Sequence, residues 1–380
     1  MNIAFDCPEC GSKLRGVLTL DFVNAGYKFE IERGERITMG FEDGDYFYEY
    51  SDTILTAPPS KTPHDMIMAT MRMPGISFFK TKHNKDMRKA IPELAWEDLK
   101  DFLMAYKNFN KPIITRLFHK LLNNKDKLKY DVDYHMAFFK CLHFFIFPWV
   151  DFDNHRDYVQ FLSSNFFSYR NYKNPKLNDF MNSFSGKISN DMTEDLVNLV
   201  TRFIDFRENL IYANQEVHTL THASIENFTA LKNFYTDCFE FLGKYSHLIF
   251  RLQNLIERGD QESLPTGLPK NILSIEDFNS SDNGSKASYL KLSKTPELIE
   301  IFDNAFNSRL RNGINHFKAK MESSTQIISY YPVTKRPEEE HQISYSEFLK
   351  LNLDIFQSVL KIGQLLKFKA VYNQAVKPST

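Results

Sequence analysis

Apolar and polar residues alternate along three short stretches near the start of the chain. These stretches are Val17–Phe22, Tyr27–Ile31 and Tyr46–Tyr50, with glycine-containing turns between them. Such alternation is typical of half-buried strands, because successive side chains of a strand point to opposite faces. We therefore expect residues 1–60 to form a small antiparallel β domain.

From about residue 90 the spacing of the apolar positions becomes that of an α-helix, with repeats at i, i+3 and i+4. Two windows carry it most clearly: Trp96, Leu99, Phe102, Leu103 and Tyr106, and then Leu196, Leu199, Val200, Phe203 and Ile204. No repeat of a solenoid type accompanies this spacing. We interpret residues 61–215 as a helical middle region, and the pattern assigns it no chemistry.

Further apolar stripes predict three long helices in residues 216–380. The first follows a candidate N-cap at Ser224 and ends at Gly259. The second begins at Pro296, a residue that suits the first turn of a helix, and its stripe continues to Met321. Antiparallel packing of three such helices would give a helical bundle.

The third long helix is predicted to begin behind a capping box formed by Ser344 and Glu347. A polar stretch at residues 279–285 predicts an exposed loop between the first two helices. A β-like segment at residues 327–333 and a charged tip at 335–340 come before the third. The fold class expected is thus α+β and predominantly α-helical, with a small N-terminal β section.

Composition and charge indicate which binding partners, nucleic acid or membrane, the chain can have. The chain has 47 Lys and Arg against 48 Asp and Glu, so a broad basic surface for non-specific binding of nucleic acid is not expected, although a small basic site is. Its most apolar run, residues 136–150, is too short to span a bilayer, so no membrane partner is expected. The start of the chain lacks an apolar signal segment, and four cysteines make no disulfide framework, so we expect a cytoplasmic protein.

The second long helix carries the strongest candidate for chemistry. Arg311, Asn312, Asn315 and His316 fall on the side opposite its apolar sector. Asn312 and His316 are i, i+4 neighbours and can act together. Arg311 and His316 lie about 140° apart on an ideal helix, too wide for one phosphate. A second copy of the chain about a two-fold axis would bring two such sets to one groove.

These residue types suit cleavage of RNA by transesterification. An imidazole exchanges protons near neutral pH, and a guanidinium can hold the scissile phosphate and offset the charge of the transition state. The RNA 2′-hydroxyl is the nucleophile, so no cofactor is expected for catalysis. Arg309, Lys318 and Lys320 would add a basic rim that binds the substrate.

The pattern Arg311, Asn312 and His316 on an internal helix resembles the signature of the HEPN superfamily of ribonuclease domains. The segment Gln342–Phe348, which opens the last helix, is also similar to the family. The resemblance covers residues 216–380 and implies a metal-independent endoribonuclease, catalytic roles for the three residues and a homodimer. It also implies a defence or toxin effector in a bacterium, with a trigger or antitoxin protein as a further partner.

Two alternatives stand beside this interpretation. The Arg311–His316 segment could be a solvated helix face, and the domain a non-catalytic module for dimerisation or RNA binding. A second Arg-x4-His match, Arg336 to His341, contains Pro337 and three acidic residues, so we interpret it as an exposed loop that would repel phosphate.

Cysteine and histidine offer weaker candidates. Cys7 and Cys10 have the spacing of half a zinc ribbon and could hold a structural zinc, or could simply form a β-turn. Cys141 and Cys238 stand alone on apolar helix faces and are expected to be buried. The i, i+4 pair His218 and His222 lacks a carboxylate partner pattern, which favours packing at a helix start over metal binding.

Overall fold

The computed structural model describes residues 2–6, 13–21, 26–33, 93–123, 125–167, 174–210, 228–303, 305–315, 319–322, 325–332 and 339–376. The predicted strand at Tyr46–Tyr50, the N-cap at Ser224 and the pair His218 and His222 lie outside these ranges.

Helices dominate the described residues, and two small antiparallel sheets accompany them, which confirms the predicted α+β, predominantly helical class. The strands are β1 (Asn2–Asp6), β2 (Lys13–Asp21), β3 (Gly26–Arg33), β4 (Lys320–Glu322), β5 (Ile327–Tyr330) and β6 (His341–Ser344). The helices are α1 (Glu93–Lys107), α2 (Lys111–Leu122), α3 (Asp131–Phe145), α4 (Phe152–Phe167), α5 (Pro175–Ser183), α6 (Gly186–Leu210), α7 (Phe228–Arg258), α8 (Ile275–Ser280), α9 (Asn283–Leu290), α10 (Pro296–Ile299), α11 (Ser308–Asn315) and α12 (Tyr345–Val376).

The chain divides into two compact units, each assembled from three separate segments. Unit 1 takes residues 1–89, 206–233 and 309–350, and unit 2 takes residues 90–205, 234–308 and 351–380. Four of the five crossings between units fall inside helices, namely α6, α7, α11 and α12. The units are therefore discontinuous in sequence, and the domain boundaries expected near residues 60 and 215 stay predictions.

The N-terminal sheet belongs to unit 1 and has the strand order β1-β2-β3. Leu18 lies opposite Phe29, and the register shifts between Arg15 and Gly16. Strands β2 and β3 confirm the two predicted from the alternation near residues 17 and 27. Strand β1 was not among the predicted strands, because Ile3, Ala4 and Phe5 are consecutive apolar residues and do not alternate with polar ones.

The second long helix predicted, from Pro296 to Met321, is wrong as a continuous element. It begins as predicted, but α10 has four residues, and Met321 lies in strand β4. The Tyr235 hydroxyl donates to the carbonyl oxygen of Ala305 at 2.7 Å, and Phe306 stacks on Phe239 with ring centroids 4.1 Å apart. Through these tertiary contacts, the apolar side chains of a non-helical segment reach the core. A continuous helix is therefore not needed to bury the predicted stripe.

The loop predicted at residues 279–285 is also wrong, since α8 and α9 occupy most of it. Polar residues in this stretch and shortly before it act as helix caps. The Ser274 hydroxyl oxygen accepts from the N–H of Asp277 at 3.1 Å, and the Asp282 carboxylate accepts from the N–H of Ser285 at 3.0 Å. Serine, aspartate and asparagine favour both loops and N-caps, so composition alone did not separate the two.

The remaining helices confirm the predicted stripes. Every member of the two stripes in α1 and α6 is buried, and α7 ends at Arg258 with Gly259 in a left-handed conformation at φ 75°. At the start of α12, the N–H of Ser344 donates to the Glu347 carboxylate at 2.9 Å. The N–H of Glu347 donates back to the Ser344 hydroxyl at 3.2 Å. This reciprocal pair is the predicted capping box.

Among the described residues, none of the helices has both the length and the apolar character needed to cross a membrane.

Candidate functional site

Helix α11 positions the two candidate residues that the structure describes. Leu310 and Ile314 are buried at 0% and 5% exposure, whereas Arg311 and Asn312 are half-buried. An eight-residue helix with one buried side presents its polar residues on the other, as the sequence predicted. His316 follows the last residue of α11 and lies outside the described ranges, as do Lys318 and the side chain of Asn315.

Arg311 and Asn312 are in direct contact. The Arg311 Nη1 donates to the Asn312 side-chain oxygen at 3.2 Å. This pairing was not predicted, because sequence spacing suggested Asn312 as a partner of His316 alone. An amide oxygen that accepts from one edge of a guanidinium limits the rotation of that planar group.

Gly313 brings α11 unusually close to strand β5. A methyl group at residue 313 would lie 2.6 Å from Cδ2, 2.9 Å from Cβ and 3.1 Å from Cγ of Tyr330. Carbon atoms in ordinary contact are about 3.5–4.0 Å apart, so another residue at 313 would force the two elements apart. Tyr330 therefore packs directly against the turn of helix that carries Arg311 and Asn312.

Two members of the predicted basic rim are described, and both are exposed. Arg309 lies on α11 and Lys320 on β4. Burial raises the pKa of the Tyr330 hydroxyl, and the positive charge of Arg309 opposes that shift, which places this charge near Tyr330. The rim thus includes a cation beside the contact between α11 and β5.

Of the second Arg-x4-His match, the structure describes His341. It lies half-buried in strand β6, with its ring centroid 5.6 Å from that of Tyr330 and its Nε2 3.4 Å from the Glu339 carboxylate. The expectation of an exposed loop is wrong for His341, because β6 pairs with β5 and buries part of the ring. Arg336 and Pro337 lie outside the described residues.

The described residues contain no cluster of three or more His, Cys, Asp or Glu side chains that could hold a metal ion. Cys7 and Cys10, the candidate zinc ligands, lie outside those residues. Cys141 and Cys238 are buried as predicted, and burial raises the pKa of both thiols. A buried, protonated thiol is a poor nucleophile and a poor metal ligand.

A second polar cluster, which we call the α4–α12 seam, lies inside unit 2. Gln364 Nε2 lies 3.3 Å from Nε2 of His155, a residue only 2% exposed. Lys361, with 3% of its side chain exposed, donates to the Glu300 carboxylate at 3.2 Å, and that carboxylate also accepts from Asn154 at 2.9 Å. Sequence reasoning missed this seam, because its polar residues interrupt apolar stripes at single positions.

Burial lowers the pKa of His155 to about 3, and the positive charge of Lys361 adds to the effect. The folded pKa lies below the value of about 6.5 for an unfolded chain, so the unfolded state alone binds a proton between these values. Folding stability should therefore fall as the pH drops below about 6.5. The expected loss attributable to His155 is about 2 kcal/mol between pH 7.5 and pH 5.

Urea unfolding of the wild type and of His155→Gln at pH 7.5 and pH 5 measures this loss. The difference between the two proteins cancels the contributions of the other histidines. Relative to the variant, the wild type should lose about 2 kcal/mol of unfolding free energy between pH 7.5 and pH 5. Identical pH dependence in the two proteins would show that His155 is not held neutral in the fold.

The chain matches no protein-family model, no curated protein and no solved structure.

Proposed function

We propose that this chain is a metal-independent endoribonuclease of the HEPN type. The observation that carries the proposal is the Arg311–Asn312 pair, held together at 3.2 Å on the polar side of a helix whose other side is buried. The sequence supplies His316 directly after this helix. An arginine and an amide can hold a phosphate, and an imidazole can exchange the protons that cleavage by a 2′-hydroxyl moves.

The proposed reaction divides the work among these residues. The RNA 2′-oxygen attacks the adjacent phosphorus as its proton passes to a base, the new O–P bond forms, and the bond to the 5′-oxygen breaks. That oxygen takes up a proton as it leaves. His316 exchanges these protons, in composite sites formed by two copies of the chain. The Arg311 guanidinium holds the phosphate oxygens, and Asn312 orients the guanidinium.

The substrate in this proposal is RNA, and the assembly is a cytoplasmic homodimer. Arg309 and Lys320, both exposed, with Lys318 and Asn315, would bind the RNA backbone beside the reacting phosphate. A small basic site on a chain with a net charge of −1 favours local contacts over broad non-specific binding. The resemblance to HEPN effectors further suggests a role in bacterial defence or growth arrest, with a trigger or antitoxin protein as regulator.

The test uses purified protein, a labelled RNA and excess chelator. We expect cleavage to continue without divalent metal, because imidazole and guanidinium replace a metal-bound water. One product should end in a 2′,3′-cyclic phosphate and the other should begin with a 5′-hydroxyl. His316→Ala should abolish cleavage. Strict dependence on Mg²⁺ or Mn²⁺, or an unchanged rate in His316→Ala, contradicts the mechanism. A structural zinc at Cys7 and Cys10 would be lost without loss of cleavage.

A non-catalytic module for dimerisation or RNA binding is the second candidate. The Arg311–Asn312 contact favours it equally, since a held guanidinium can bind a phosphate without any proton transfer. The same experiment separates the two functions. RNA that is bound by the wild type with salt-dependent affinity but never cut, with binding weakened in Arg311→Ala and unchanged in His316→Ala, identifies the second candidate.

A further inference from the structure

The close approach of Gly313 to Tyr330 determines how near helix α11 lies to strand β5. Gly313 directly follows Asn312 on the last two turns of α11. A methyl group at this position would meet three atoms of the Tyr330 side chain at 2.6–3.1 Å. Any residue other than glycine must therefore shift α11 or the ring. The position of the helix relative to β5 depends on the missing side chain.

Tyr330 is itself held firmly. It is 7% exposed, and its strand β5 is the central strand of its sheet, paired with β4 on one side and β6 on the other. Its ring stacks on His341 at an interplanar angle of 30°. The N–H of Tyr345 donates to the carbonyl oxygen of Gln326 at 2.8 Å, which joins the sheet to the start of α12. Strain at the contact would therefore move α11 more readily than Tyr330.

We infer that Tyr330 is a positioning residue for the proposed ribonuclease site. Its contact with Gly313 sets where Arg311 and Asn312 stand relative to a bound phosphate, so this inference rests on the proposed function. A misplacement of about 1 Å at a reacting centre can lower a rate about 100-fold. Tyr330 acts on the proposed site through its contact with α11. Its own ring is buried and does not touch the RNA.

Four variants test this inference: Gly313→Ala, Tyr330→Ala, the two combined, and Gly363→Ala as a matched control. Gly363 is also a helical glycine in close contact, since a methyl group there would lie 2.8 Å from Cδ2 of Leu196, but both residues belong to unit 2. Two readouts apply to each variant. One is hydrogen exchange of the α11 amides, and the other is the rate of RNA cleavage.

In Gly313→Ala we expect the α11 amides to exchange about tenfold faster, since overpacking weakens the fit of the helix. Cleavage should fall about 100-fold, through kcat more than through KM. In the Tyr330→Ala background the same glycine change should alter both readouts less than it does in the wild type, because Cγ and Cδ2, two of the three close atoms, are gone and only Cβ remains. Gly363→Ala should leave both readouts at the wild-type values.

Equal effects of Gly313→Ala in the two backgrounds, or no effect in either, would overturn the inference. A wild-type protein that does not cut RNA would remove the proposed function instead. The exchange measurements then still decide whether Tyr330 positions α11. Unchanged exchange in peptides from α12 shows that each variant keeps its fold. A variant that loses this protection as well supports a merely structural role for the contact.

Discussion

Arg311→Ala should lower the rate of RNA cleavage by about 100- to 1000-fold, the usual loss when one donor to a developing oxyanion is removed. Arg311→Lys should recover only part of the rate, because an ammonium lacks the planar fork of the guanidinium. Asn312→Ala should be milder, since its side-chain oxygen accepts from Arg311 Nη1 and acts through that residue. Single-turnover rates with saturating protein measure these effects on the chemical step.

The second Arg-x4-His match supplies the control for this prediction. Arg336→Ala should cut RNA at nearly the wild-type rate, because the acidic neighbours of Arg336 disfavour phosphate. His341 is a less neutral control than the sequence suggested, since its ring stacks on Tyr330. If Arg311→Ala and Arg336→Ala have equal rates, Arg311 has no part in the chemistry.

Phe356→Ala should lower the free energy of unfolding of unit 2 by about 3–5 kcal/mol, as expected for the loss of a buried phenyl ring. Phe356 is fully buried, with its ring stacked on Phe203 at 4.5 Å and tilted against Phe234 at 5.4 Å. These three rings join α12, α6 and α7, so a cavity at Phe356 would remove contacts from all of them.

Tryptophan fluorescence during urea unfolding measures this loss. The chain has two tryptophans, Trp96 and Trp149, and both belong to unit 2. Met104→Ala is the matched control, since Met104 is 46% exposed and its removal should change the free energy by no more than about 0.5 kcal/mol. A loss for Phe356→Ala as small as that of the control would contradict the described core.

Periodicity in the sequence predicted the helices that are long and half-buried. The α1 and α6 stripes, the end of α7 at Arg258 and the capping box at Ser344 were all predicted, because each depends on neighbours within one or two turns. The break between α10 and α11 could not be predicted in this way. It depends on a hydrogen bond from Tyr235, which lies far from Ala305 in the sequence.

The candidate site was predictable in its residue types but not in its contacts. The sequence placed Arg311 and Asn312 on a polar helix face, and both are half-buried there. Their mutual hydrogen bond and the approach of Gly313 to Tyr330 depend on rotamers and on the packing of a strand against the helix. A glycine inside a helical pattern signals such an approach only weakly, because glycine also lowers helix propensity wherever it occurs.

The three-segment construction of unit 2 has a consequence for how the protein reaches its fold. Phe203 and Phe356 lie in different segments of unit 2, and residues 206–233 and 309–350 of unit 1 lie between them in the sequence. Their rings can stack only when these two segments have folded or are left as open loops. Chains dominated by such distant pairings fold slowly, because the entropy of loop closure is lost before the contacts form. Helices α1 to α7 can form early from local contacts, but the core of unit 2 is completed by α12. Its aromatic partners on α6 and α7, Phe203 and Phe234, are therefore fully packed only once α12 is in place.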